Sequence, residues 1–305
     1  MHLLNDTNKN QPKIIQSLPQ LLADQPVIGL DIEEFSGKIK FYSLESGALY
    51  EVSPGEQPKL ISNPQLNNVQ QITWSPDNLK VFVSAGGRKY IYDFIAQKSY
   101  PLNSNIQDSL VFSPNSQKIL YQFKNEKENI ISVADYTGQN YAKVISSPLF
   151  EAKLGWTLNG AYLWQKSEKN FSASLYLIDI VLKTTAKILD NILGLDTVPS
   201  GSGLKFIYQE YINDDLSLYV YNFLEKNIIK LPFKTEANKC IFSQSEEEIF
   251  CALSDKIINY NLKTKKETEM TKIDFNVFNL QLTPDEKYLI FQDKQSKKPY
   301  YLKIK

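Results

Sequence analysis

The chain has 305 residues, 42% of them hydrophobic and 12% aromatic, the composition of a folded chain long enough for one or two domains. Its 34 basic residues are balanced by 34 acidic ones, which leaves no basic footprint for nucleic acid and no excess charge to hold it on an anionic membrane. One histidine and two cysteines are too few to frame a metal site, and no run approaches the roughly 18 apolar residues of a membrane-spanning helix.

The segment Met1 to Pro12 is polar and Asn-rich and lacks the apolar core of a signal peptide. It is expected to be disordered or frayed, with residues 13–305 forming one domain. The compartment is then the cytoplasm, unless a targeting segment or anchor lies upstream of this chain. Lys13-Ile14-Ile15-Gln16-Ser17-Leu18-Pro19 reads as a short strand. Leu30-Asp31-Ile32 follows, then a turn through Ser36-Gly37 and the strand Ile39-Lys40-Phe41. The same unit is clearest at Ile72-Thr73-Trp74, where Ser75-Pro76-Asp77-Asn78 leads into Val81-Phe82-Val83. Proline presets φ at the second position of a type I turn, and Asp or Asn suits the next.

The unit returns at Phe112 with Ser113-Pro114-Asn115 and at Trp156 with Thr157-Leu158-Asn159-Gly160. It weakens at Val198 and Phe242, whose turns lack the Ser-Pro-Asp core, and is strong again at Leu282 with Thr283-Pro284-Asp285. The residues before the turn, Ile32, Trp74, Phe112, Trp156, Val198, Phe242 and Leu282, are spaced by 42, 38, 44, 42, 44 and 40. Each unit adds a third strand, such as Tyr90 to Asp93 or Leu218 to Tyr221, and a fourth, such as Lys98 to Leu102. Alternating β-branched and aromatic strands broken by Pro, Gly, Asn and Asp at this period describe propeller blades. The expected fold is all-β: seven blades of four antiparallel strands, with six or eight blades as the alternative count. Only 23 residues follow Leu282, so the last unit lacks its fourth strand. Counted one period back from Ile32, the fourth strand of the preceding unit falls at Lys13 to Pro19, and the spacing predicts that it completes the last blade, removing the open edges of an unclosed ring.

Trp74-Ser75-Pro76-Asp77-Asn78 and Leu282-Thr283-Pro284-Asp285-Glu286 resemble the turn of TolB-like propeller repeats, relatives of WD-repeat proteins. The resemblance runs from about residue 27 to the end. The WD dipeptide and Gly-His pair of true WD repeats are absent. The resemblance implies a bacterial protein, exported or membrane-tethered, in the periplasm or outside the cell.

Catalysis by a Ser-His or Cys-His pair is excluded unless His2 reaches the fold, and no G-x-S-x-G elbow or phosphate-binding loop occurs. No cofactor or metal is expected. Asp31, Glu33, Glu34, Asp108 and Asp196 lie near inner strands, but paired-carboxylate chemistry needs two acids facing each other, and the sequence selects no pair. In the sixth unit Phe242 faces Ile249, which sets Cys240 opposite Cys251. Directly opposed cysteines come within reach of a disulfide, while two buried thiols acting as small hydrophobes is the favoured reading. Aligned repeats place Asn68, Gln70, Asn105, Gln107, Asp108, Lys153, Asn238 and Asn276 near the starts of inner strands. That polar ring at a channel mouth points to a monomeric, non-catalytic scaffold for a protein or peptide partner. The alternatives are an enzyme with carboxylate or metal chemistry in the channel, cleaving a glycan or a lactone, and a structural envelope protein.

Overall fold

The computed structural model describes residues 17–147, 149 and 151–305. Their strands form seven separate four-stranded sheets, antiparallel throughout. The one helical element among the described residues is the short 3-10 turn Ala237–Lys239. The inner strands, in blade order, are Val27–Ile32, Val69–Trp74, Val111–Phe112, Lys153–Thr157, Thr197–Pro199, Cys240–Phe242 and Val277–Leu282. The inner strand of blade 1 lies against those of blades 2 and 7, so the inner strands gather around one axis.

Period-two alternation explains why the blades pack as a ring. In the second strand of blade 6, Ile249 and Cys251 face blade 5 while Phe250 and Ala252 face blade 7. In blade 7, Leu289 and Phe291 face blade 6 while Ile290 packs on blade 1. Each second strand is therefore apolar on both faces, as a strand covered on both sides must be. Seven apolar clusters result, one at each blade-to-blade interface.

Two sets of polar links reinforce the stacking. On the side where inner strands begin, glutamines of the second strands reach the entry backbone of the next blade. The Gln122 carbonyl accepts the Ala152 N–H at 2.9 Å, the Gln209 carbonyl accepts that of Ala237 at 2.9 Å, and Gln292 Nε2 donates to Val27 O at 3.0 Å. Tyr42 holds the same place in blade 1 and donates to Leu66 O at 3.2 Å. On the opposite face the hairpin turns link. Ser116, Glu246 and Glu286 hold the left-handed position of their turns, at φ 58, 55 and 52°. Glycine would fit there without steric cost, but each of these side chains accepts an N–H from the preceding blade's turn: Asp77, Ser202 and Gln244, at 3.1, 2.8 and 2.8 Å.

The ring closes as a shared blade. Gln20–Leu21 pairs with Pro299–Lys303 as the outer strand of blade 7, with Gln20 opposite Tyr301 and Leu21 opposite Tyr300. The Leu22 N–H donates to Pro299 O at 2.9 Å. Among the described residues the closing pair therefore begins at Gln20, just past the expected Lys13 to Pro19. Proline has no N–H for the ladder, so pairing begins beyond Pro19, although Ser17 Oγ still donates to Lys303 O at 2.6 Å. Lys13 to Gln16, like the whole of the segment expected to be frayed, lies outside the described residues.

Candidate functional site

The inner strands are not equivalent. Those of blades 7, 1 and 2 each carry an irregularity: the register jumps between Phe278 and Gln281, between Ile28 and Asp31, and between Val69 and Gln71. The other four pair with their neighbours without a shift. A bulge bends its strand and re-aims the side chains beside it. In blade 1 the bulge rests on Gly29, at φ 65°, where a Cβ would lie 2.4 Å from Ile72 Cγ2. Glycine is required there both for the backbone angle and for the close approach of blade 2. The approach is fixed by Trp74 Nε1, which donates to Gly29 O at 2.8 Å.

These three strands enclose a hollow of about 200 Å3 lined by Gly29, Leu30, Asp31, Ile72, Thr73, Trp74, Asn279 and Gln281. Asp31 is its one carboxyl among the described residues. Amides and a hydroxyl surround it. Gln281 Nε2 donates to Leu30 O at 2.7 Å and Asn279 Nδ2 donates to Gln292 Oε1 at 3.2 Å. Gln71 Nε2 donates to Thr73 Oγ1 at 2.8 Å. Asp31 remains half-buried, open to water yet crowded by protein. Burial raises its pKa to about 7, against the Ile32 N–H and the Lys40 charge, which pull it down. Lys40 is the cross-strand partner of Asp31. It is buried, donates to Asn78 O at 2.8 Å and lies 5.5 Å from the Trp74 ring centre; burial lowers its own pKa.

The polar residues expected at the mouth are spread over several blades. Asn238 Nδ2 donates to Asp196 at 3.4 Å, and Asp196 pairs with Lys166 at 2.9 Å. Asn276 accepts from Lys239 at 2.7 Å, and Asp108 pairs with Lys89 at 3.0 Å. Asn105 and Gln107 bond within their own loop at 3.0 Å. Asn68, Gln70 and Lys153 are exposed. None of the eight lines the Asp31 hollow. Cys240 and Cys251 stand opposite each other in blade 6 and are joined as a disulfide, in place of the two thiols favoured on sequence grounds. Among the described residues no three His, Cys, Asp or Glu side chains gather where they could hold a metal ion, and no helix is long and apolar enough to cross a membrane.

No family model matches the chain, and no curated protein matches it. Among solved structures, 1227 chains match, so the architecture is common and does not by itself select a function. An oligogalacturonate lyase in complex with manganese aligns with TM-score 0.70 and 13% identity over 92% of this chain and 90% of that one. An oligogalacturonate lyase from Vibrio parahaemolyticus aligns with TM-score 0.68 and 10% identity over 93% and 91%. Hydrazine synthase from Kuenenia stuttgartiensis aligns with TM-score 0.66 and 9% identity over 92% and 96%. At these identities the likeness carries the fold alone. It does correct the expectation of a non-catalytic protein. That expectation rested on the missing histidine-based nucleophile, whereas discs of this shape include enzymes named as lyases, and a carboxyl needs no histidine to move a proton. The chain is a seven-bladed β-propeller similar in fold to oligogalacturonate lyases.

Proposed function

We propose that the disc is a propeller enzyme that cleaves a glycan by proton transfer at the channel wall, with Asp31 as the transferring group. The observation that supports this reading is the placement of one carboxyl in a hollow built by three bulged inner strands.

Two routes to a broken glycosidic bond make different demands. Hydrolysis by paired carboxyls needs a second acid roughly 5 to 9.5 Å across the bond, and among the described residues the hollow offers Asp31 alone. Elimination needs one group. The Asp31 carboxylate takes the proton from the carbon beside a uronic acid's carboxyl group. The C–H electron pair becomes the new C=C bond as the C–O bond breaks, and the departing oxygen receives a proton from the carboxyl just formed. A group with a pKa near the working pH is suited to both proton movements, and Asp31 sits at about 7. Thr73 and Gln281 supply a hydroxyl and an amide for sugar hydroxyls. The name of one neighbour includes manganese. Among the described residues no three His, Cys, Asp or Glu side chains gather to hold such an ion. The TolB-like kinship, and the exported location that goes with it, rest on the turn residues alone.

The test is incubation with a panel of oligosaccharides that includes oligogalacturonate, reading ultraviolet absorbance for the new double bond and, separately, new reducing ends. Absorbance should appear, rise with pH through about 7 as the carboxyl ionises, and vanish in Asp31→Asn. Reducing ends without absorbance would mean hydrolysis. A fully active Asp31→Asn, or no product of either kind, would remove the proposal.

A further inference from the structure

Among the described residues three of the seven joints carry the turn-to-turn link, and the joint from blade 7 to blade 1 is not one of them. At the joint from blade 7 to blade 1 the left-handed turn position is Gly37, at φ 69°, which has no side chain to accept an N–H. A Cβ there would lie 3.8 Å from Pro284 Cδ, so the two turns are adjacent, yet among the described residues none of these links joins them. The space left is a groove of about 500 Å3 lined by the turns of blades 7 and 1 and by Ser53 and Pro54. Its apolar surface comes from Phe35, Pro54, Pro284 and Tyr288. Phe35 is 85% exposed, and it stands in a turn where blades 2 and 3 carry proline and a small polar residue. Tyr288 is held edge-on against Tyr301, with ring centres 5.9 Å apart. Two rings flanking prolines make a ridged apolar surface of the kind that receives a polyproline helix, whose extended shape is set before binding.

Acids outnumber bases around the groove: the lysines beside it, Lys38 and Lys287, are paired with Glu51 and Asp285. Glu34 and Glu56 sit beside Phe35 and Pro54, exposed, and no ion pair engages either among the described residues. Asp285 also lies there, held at about 2 by the Lys287 ammonium and the Thr283 hydroxyl, and is a carboxylate at any working pH. The acids fit a basic ligand.

The geometry points to a docking groove at the blade 7–blade 1 seam for an extended, proline-rich basic peptide. The groove lies on the turn face, and its lining shares no residue with the Asp31 hollow, so the assignment stands apart from the enzymatic reading.

The experiment is fluorescence anisotropy with labelled synthetic peptides of repeated Pro-Pro-Arg, Pro-Pro-Glu and Gly-Ser-Arg units against the full chain. Pro-Pro-Arg should bind and the other two should not. Phe35→Ala, whose exposed ring supports no core, should weaken binding about tenfold, with unchanged circular dichroism. Glu34→Lys with Glu56→Lys should weaken it and flatten its salt dependence, while Asp31→Asn should leave it intact. Equal binding of Gly-Ser-Arg, equal binding of Pro-Pro-Glu, no binding of Pro-Pro-Arg, or an unaffected Phe35→Ala would each overturn the assignment.

Discussion

Ionising Asp31 sets a solvation cost against the fold. Its pKa rises from 3.8 to about 7 on folding, so the folded chain holds this proton more tightly than the unfolded one. The cost is absent below about 3.8, grows through the interval and is complete above about 7. Asp31→Asn keeps the shape and removes the charge. Because water reaches the group, the gain is smaller than the full shift implies, on the order of 2 kcal/mol. Urea denaturation should find Asp31→Asn more stable than the parent at a pH of about 8, with the two curves converging near pH 4. A variant that is less stable at both would show that the carboxylate is held by partners and would sink the raised pKa. A group kept where its charge is unfavourable is a signature of functional sites. In the sequence Asp31 was one acid among several near inner strands. What separates it from Asp108 and Asp196, which are paired with Lys89 and Lys166, is a set of neighbours from other blades that no local pattern reveals.

At the scale of the element, strands and turns were readable because their determinants are local. Trp74-Ser75-Pro76-Asp77 carries its own hydrogen bonds, Ser75 Oγ to Asp77 Oδ1 at 2.5 Å among them, and the strands alternate on schedule. The bulges were not readable. Alternation marks paired residues and is blind to an extra one, so it gave no sign of Gly29 and Asn279, although both hold positive φ. The links between blades were equally hidden. The use of Glu246 and Glu286 as acceptors for the neighbouring turn appears only once the turns are adjacent. Gln209 is the sharpest case. It is buried, accepts from Ala237 N–H and donates to Gly194 O at 3.0 Å. Gln209→Ala strands both backbone groups, and leaving such buried groups unpaired costs about 1 to 3 kcal/mol each. Thermal unfolding should therefore lose several degrees, whereas Glu286→Ala, which removes the acceptor of an exposed link, should lose much less. Equal losses would mean that the buried links add nothing beyond the apolar contacts.

For the molecule as a whole, the blade count and the sharing of the last blade followed from arithmetic on the repeat, and among the described residues the closing pair begins just past Pro19, the end of the expected strand. The expectation about activity failed for another reason: carboxylate chemistry in the channel stood only as the alternative, because the sequence selects no pair of acids, and the structural neighbours that are enzymes favour that alternative. Closure can be tested directly. Leu22→Pro removes the N–H given to Pro299 and disturbs a side chain packed with Val27 and Ile290. It should lower the midpoint of thermal unfolding and expose the last blade to proteolysis at its C-terminal end, with Leu22→Ala intermediate. If Leu22→Pro melted with the parent, the terminal strand would be decoration.

That arrangement has a consequence for how the chain is born. Gln20 and its partner Tyr301 are 281 residues apart, and ribosomes add about 5 to 20 residues each second. The opening segment therefore waits on the order of tens of seconds for the tail it must meet, while blades assembled in the meantime present a raw flank to the crowded cell. Translation speed and any chaperone that shields that flank become part of what decides the yield of finished protein.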